Sequence, residues 1–312
     1  MSASLLRLGQ TLRGGSGRYI IKAQIQETVW LAKRLPEAKP RLTVDERNEC
    51  SSARPEFDET VIIKGVQRHP RVENERDIED PPKPTIIVLK HLDGDLLTAT
   101  KHRALNRQDL KSVSRSVLEA LKVLHEDGYV HADVKPDNVL VNYCKAQHGE
   151  NDSRFSDVQL GDLGGAYHAD SKWARSGTPM GAPRWRRPEM IMETPWNTAT
   201  DIWSFGAMVN IPYDHEEYSL EVLKQQFRYF GLLLGKYEEI ASPETVRAIL
   251  YIMQEIPKSD TTPFCMITER EVCRKDNEFI RKIMMMGWRD RPTTRELLED
   301  KWFKDDREET RE

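Results

Sequence analysis

Between Tyr129 and Val141, three polar side chains, Asp133, Lys135 and Asn138, fall within one short stretch. Upstream, Leu110, Val113, Val117, Leu118, Leu121 and Leu124 recur at helical spacing beyond Asp109, until Gly128 stops the run. Downstream, Val139-Leu140-Val141 has the apolar, β-branched text of a short strand. The polar groups therefore occupy a loop between a helix end and a strand.

Phosphoryl transfer needs a set of this kind. An Asp can orient a hydroxyl and take its proton, a nearby Lys can neutralise the group in transfer, and an Asn can hold a metal ion. The bland alternative is a polar surface turn with accidental spacing. A second apolar run, Val158-Gln159-Leu160-Gly161, ends at Asp162 and is followed by Leu163-Gly164-Gly165. Taken alone, that too is a common turn.

Ahead of the helix the text is strand-like. Tyr19 to Ala23 and Val29 to Ala32 form a predicted hairpin, and Val61-Ile62-Ile63-Lys64 and Thr85 to Leu89 form two further strands. Between them, Arg34 to Glu59 is charged and carries Pro36, Pro40 and Pro55, which predicts a loop insert. Later helices are predicted around Leu220 to Tyr229, Pro243 to Glu255, Asn277 to Met286 and Thr293 to Trp302. A strand-rich first part before a larger helical part predicts an α+β, two-lobed fold. The small antiparallel lobe is expected over about residues 19–90 and the large lobe over 93–303, with 1–18 and 304–312 outside.

Composition narrows the setting. The chain of 312 residues has a net charge of -4 with 31% charged residues, so neither nucleic acid nor an acidic membrane surface is an expected partner. Cys50, Cys144, Cys265 and Cys273 lack metal-ligand or disulfide-framework spacing, which fits a reducing compartment. The first residues have too short an apolar run for a secretory signal, and no stretch approaches the roughly 20 apolar residues of a membrane span. A monomer in cytoplasm or nucleus is expected.

In the order of these motifs the chain resembles the eukaryotic-type protein kinase family, serine/threonine type. His131-Ala132-Asp133 through Asn138 is similar to the family's His-Arg-Asp, four residues, Asn, with Ala132 in place of Arg. That Arg commonly pairs with a phosphorylated residue, so its absence argues against phosphate-switched activation. Lys135, two positions after the Asp, is the serine/threonine form. Asp162-Leu163-Gly164 resembles Asp-Phe-Gly, and Arg187-Pro188-Glu189 resembles Ala-Pro-Glu. Asp201-Ile202-Trp203-Ser204-Phe205-Gly206 matches Asp-x-Trp-Ser-x-Gly. The Leu124 to Gly128 run, Leu-His-Glu-Asp-Gly, is similar to that of fungal kinase-like proteins.

The resemblance implies ATP and Mg²⁺ as cofactors, Asp133 as base, Lys135 on the transferring phosphoryl, and Asn138 and Asp162 on the metal. It also implies that Asp201 braces the catalytic loop and that Glu189 forms a buried ion pair with Arg291. For the nucleotide two placements stand. Gly14-Gly15-Ser16-Gly17 with Lys33 is one; Lys64 paired with Glu75 is the other, and it is favoured because Lys33 is followed only by the proline-broken insert. With Lys64, the phosphate-covering turn is Gln24 to Thr28, which holds no glycine to let backbone amides approach phosphates. The small lobe also looks short after Glu75, and Ile211-Pro212 cuts the helix after Asn210. A protein kinase acting on serine or threonine is therefore expected, with a pseudokinase scaffold as the alternative and a small-molecule kinase ranked last. No docking module is recognisable outside the core, so no particular protein substrate is indicated.

Overall fold

A computed structural model of the chain describes residues 6–14, 17–26, 28–35, 59–66, 85–144, 153–210, 219–231, 235–257, 259 and 261–304. It divides into two units, Met1–Leu92 and Asp93–Glu312. The first is a five-stranded antiparallel meander: β1 (Thr11–Gly14), β2 (Gly17–Gln26), β3 (Val29–Leu35), β4 (Thr60–Val66) and β5 (Thr85–Lys90), paired in that order. Alternation drives it. Tyr19 and Ile21, Trp30 and Ala32, and Val61 and Ile63 are buried two apart on successive strands, and Ile86, Leu6 and Leu12 complete the same core.

The predicted hairpin is present as β2 and β3, with Ile21 opposite Ala32. β1 is additional. The sequence placed residues 1–18 outside the domain, whereas Thr11–Gly14 pairs with β2 through Leu12↔Tyr19 and Gly14↔Gly17. Four residues are too few to display a period of two, which is why the strand is silent in the sequence. The ends of the predicted insert hold each other: the Arg34 amide donates to the Glu59 carbonyl at 2.9 Å, and the two side chains form an ion pair at 3.1 Å. Glu75 lies outside the described residues.

The second unit is mainly helical. After β6 (Gly94–Asp95) and α1 (Leu96–His102), the predicted long helix appears as α2 (Arg107–Glu126). Asn106 caps it by accepting the Asp109 amide at 2.7 Å, and Val113, Val117, Leu118 and Leu121 form its buried stripe. β7 (Tyr129–Val130) pairs with β10 (Tyr167–His168), and β8 (Val139–Tyr143) pairs with β9 (Phe155–Leu160). Then follow α3 (Lys172–Arg175), α4 (Pro188–Ile191), α5 (Ala199–Asn210), α6 (Ser219–Phe230), α7 (Pro243–Gln254), α8 (Arg274–Ile283) and α9 (Thr294–Leu298).

The last predicted helix is shorter than expected. Asp300 accepts the Trp302 amide at 2.9 Å and starts a separate 3₁₀ turn, Lys301–Phe303, which stacks Trp302 on Phe279 with ring centroids 4.4 Å apart. Gly206 lets α5 approach α8: a Cβ there would stand 2.5 Å from an Ile283 methyl carbon and 2.6 Å from the Met284 sulfur. Among the described residues no helix is long and apolar enough to cross a membrane.

Candidate active site

The loop predicted to carry chemistry is suspended from a buried carboxylate. Asp201, near the start of α5, is fully buried; its Oδ2 accepts the His131 amide at 2.8 Å and its Oδ1 the Ala132 amide at 2.9 Å. His125 Nε2 lies 3.0 Å from the same Oδ2. Burial alone would push this carboxyl up, but the His125 hydrogen bond and the surrounding positive charge hold it below its ordinary value. Ala132 takes a left-handed conformation, φ 66°, which costs a non-glycine residue roughly 1 kcal/mol. The two amide bonds to Asp201 secure it.

His131 locks the loop to the next strand. Its Nε2 is 2.9 Å from the Gly161 carbonyl, and its Nδ1 accepts the Asp133 amide at 3.3 Å. An acceptor at Nδ1 makes Nε2 the donor, so a single neutral tautomer satisfies both contacts. The Gly161 amide in turn donates to the Asn138 carbonyl at 2.7 Å. These bonds hold Gly161 beside the Asn138 backbone at the end of β9, and Asp162 follows it.

Asp133 is the convergence point. Its Oδ2 meets Lys135 Nζ at 2.9 Å and accepts from Asn138 Nδ2 at 3.1 Å, while its Oδ1 accepts the Ala182 amide at 3.1 Å. The Asn138 amide nitrogen also reaches the Asp133 carbonyl at 2.8 Å, which turns its oxygen to the other side. The described structure thus brings Asp133, Lys135 and Asn138 together, with Asp162 one strand end away.

The segment after Asp162 is pinned along its length. Trp196 Nε1 donates to the Thr178 carbonyl at 3.0 Å, Ser204 to the Trp185 carbonyl at 2.8 Å, and Gln226 to the Arg186 carbonyl at 2.7 Å. Gly181 has φ +68°, and a Cβ there would stand 2.4 Å from the Ala132 carbonyl oxygen. No side chain fits at that crossing. Arg186 Nε bonds the carbonyls of Met180 and Gly181, both at 3.1 Å.

At the segment's end the expected ion pair is present. Arg291 Nη1 and Nη2 donate to Glu189 Oε1 and Oε2 at 2.6 and 2.9 Å, and both side chains are buried. Burial would raise Glu189, but the Arg291 charge and hydrogen bonds hold it low. Sequence alone did not find Tyr237, whose hydroxyl donates to the Met286 carbonyl at 2.7 Å and lies 3.3 Å from Glu189 Oε2. Nor did it find the roles of His125, Ala182 and Arg186. His125 lay inside the quoted Leu124 to Gly128 run, yet no local signal names its partner 76 positions away.

In the first unit, the two competing lysines sit on adjacent strands. Lys33 is on β3 opposite Thr60, and Lys64 is on β4 opposite both Val29 and Ile87. Gly14 and Gly17 close the β1–β2 hairpin, while the β2–β3 connection runs from Gln26 to Val29 without glycine.

A family model described as the protein kinase domain matches residues 41–303. The human serine/threonine-protein kinase PAK 4 is 33% identical over 156 residues, 49% of this chain and 24% of that protein. Serine/threonine-protein kinase STE20 of Saccharomyces cerevisiae is 25% identical over 209 residues, 66% of this chain and 20% of its own length. The chain thus spans about a quarter or less of these relatives. A solved chain from the yeast RNA Pol II CTD kinase CTDK-1 complex shares the fold, with a TM-score of 0.64, 16% identity, and coverage of 92% of this chain and 93% of that one.

Proposed function

This chain belongs to the protein kinase domain family, and from that membership we propose that it transfers the terminal phosphoryl group of ATP to serine or threonine hydroxyls of proteins. The observation that carries the proposal is the gathering of Lys135, Asn138 and the Ala182 amide around the single carboxylate of Asp133. Asp133 orients the acceptor hydroxyl and takes its proton; Lys135, 2.9 Å away, offsets negative charge beside it.

Asn138 and Asp162 suit Mg²⁺. The amide nitrogen of Asn138 is committed to Asp133, leaving an oxygen donor, and Asp162 adds a carboxylate at an exposed strand end. A hard cation that keeps several waters needs few protein oxygens, and when bound it supplies charge neutralisation for the nucleotide phosphates. Lys64, with Glu75, is assigned to the nucleotide.

The second reading, a kinase-like scaffold that transfers poorly, draws on the glycine-free β2–β3 connection. A thermal-shift titration with ATP and Mg²⁺ separates the two, since a ligand that binds only the folded state raises its apparent stability. A rise is expected, and absence of any shift at millimolar nucleotide would sink the enzyme reading. Transfer to a generic protein acceptor should vanish in Asp133→Asn while the shift remains.

A further inference from the structure

From Ser171 through Pro188 the chain carries five cationic residues, Lys172, Arg175, Arg184, Arg186 and Arg187, and no Asp or Glu, although the whole protein has a net charge of -4. A run of charges is ordinarily a solvated face. Its Met180 to Arg186 part is attached to the candidate base. The Ala182 amide bonds Asp133, Gly181 crosses the Ala132 carbonyl, and Arg186 closes the Met180–Gly181 turn from the side.

The five cations are not equivalent. Arg187 is fully buried and belongs to the interior. Arg186 is half-buried, with its Nε spent on two carbonyls. Lys172 and Arg175 are exposed on α3, and Arg184 is half-buried on the 3₁₀ turn Pro183–Trp185. Lys172 Nζ lies 4.5 Å from the Trp173 ring centroid, a cation–π contact at an exposed site. Of the flanking acids, Glu189 is buried against Arg291, and the exposed Asp170 lies 3.7 Å from His168.

We infer that this protein selects serine or threonine acceptors flanked by Asp and Glu, with Lys172, Arg175 and Arg184 as the specificity-determining residues. The inference rests on the proposed site at Asp133. An acidic stretch brought to this segment gains from each cation, while a basic stretch meets like charge, and such juxtaposition discriminates partners and steers encounter more than it adds raw affinity. It also sets the salt dependence: exposed charges separated by more than a Debye length lose most of their interaction as ionic strength rises.

The test is fluorescence anisotropy of labelled serine peptides binding to the full chain at low salt, with transfer assayed in parallel. Peptides with three acidic residues on either side of the serine are expected to bind roughly tenfold tighter than neutral ones, and basic-flanked peptides more weakly still. Lys172→Glu/Arg175→Glu/Arg184→Glu should invert the order, and Arg184→Glu alone should narrow it if the triple variant fails to fold. Charge reversal at Arg247, on α7, should leave it unchanged. Equal binding of acidic and neutral peptides, insensitivity to these substitutions, or tighter binding of a single-stranded oligonucleotide would each overturn the inference. Selective binding without transfer would instead overturn the proposed enzymatic activity and leave the acidic preference standing.

Discussion

Glu189 and Arg187 are two positions apart and face opposite electrostatic fates. Glu189 has a bidentate Arg291 and the Tyr237 hydroxyl, so removing one partner strands a buried charge, at a cost of about 3–5 kcal/mol. Glu189→Gln should therefore lower the denaturant midpoint sharply. With Asp201 it also sets the acid limb. Both carboxyls titrate below their ordinary 4.5 and 3.8 when folded, so their stabilisation is full above those values and is lost as pH falls through and below them. Melting temperature against pH should drop steeply in that window, and less steeply in Glu189→Gln. Arg187 is the reverse case. Its Nε and Nη2 have no hydrogen-bond partner among the described residues, and burial lowers its pKa from 12.5 to about 10 against the pull of Asp201 and Glu189. A shift of that size corresponds to about 3 kcal/mol of lost stability at neutral pH, so Arg187→Met should melt no lower than the parent and is expected to melt higher. The sequence showed Glu189 and Arg291 as a pair because both stand at family positions. It showed Arg187 only as a departure from Ala, since nothing in a linear text tells a solvated Arg from one sealed under Trp196.

At the scale of elements, legibility followed length and periodicity. The long helix now seen as α2 announces itself through six apolar positions at helical spacing, and the strands from Tyr19, Val29, Val61 and Thr85 through alternation or apolar runs. β1 and the turn at Trp302 do not, because four residues and a single capping Asp300 carry too little pattern. The α5–α8 contact is similar: Gly206 matched a family motif, but only the packing shows what a side chain there would strike. Gly206→Ala should destabilise by about 1–3 kcal/mol through overpacking, more than the gain in helix propensity of about 1 kcal/mol, and chemical denaturation would measure the balance. The choice between neighbouring strands for the nucleotide lysine has its own test. Lys64→Met is expected to abolish the ATP-induced thermal shift and Lys33→Met to preserve it; the opposite result would move the role to β3.

Taken whole, the molecule has separate buried clusters in its two units. Leu6 to Ile86 supply one, built on β1 to β5, and Leu96 to Trp302 supply the principal core of the other. Trp30, the only tryptophan of the first unit, gives a fluorescence signal that Trp30→Phe would subtract from the total. The Asp133 site itself is assembled within the second unit. The clasp between Arg34 and Glu59 has a different reach. It holds the two ends of the intervening stretch together at the end of the ladder between β3 and β4, where Lys33 stands opposite Thr60. Each doubling of that stretch would add only about 0.6 kcal/mol of closure entropy. An epitope inserted between residues 35 and 59 is therefore predicted to shift stability by little more than that closure term, as chemical denaturation would measure.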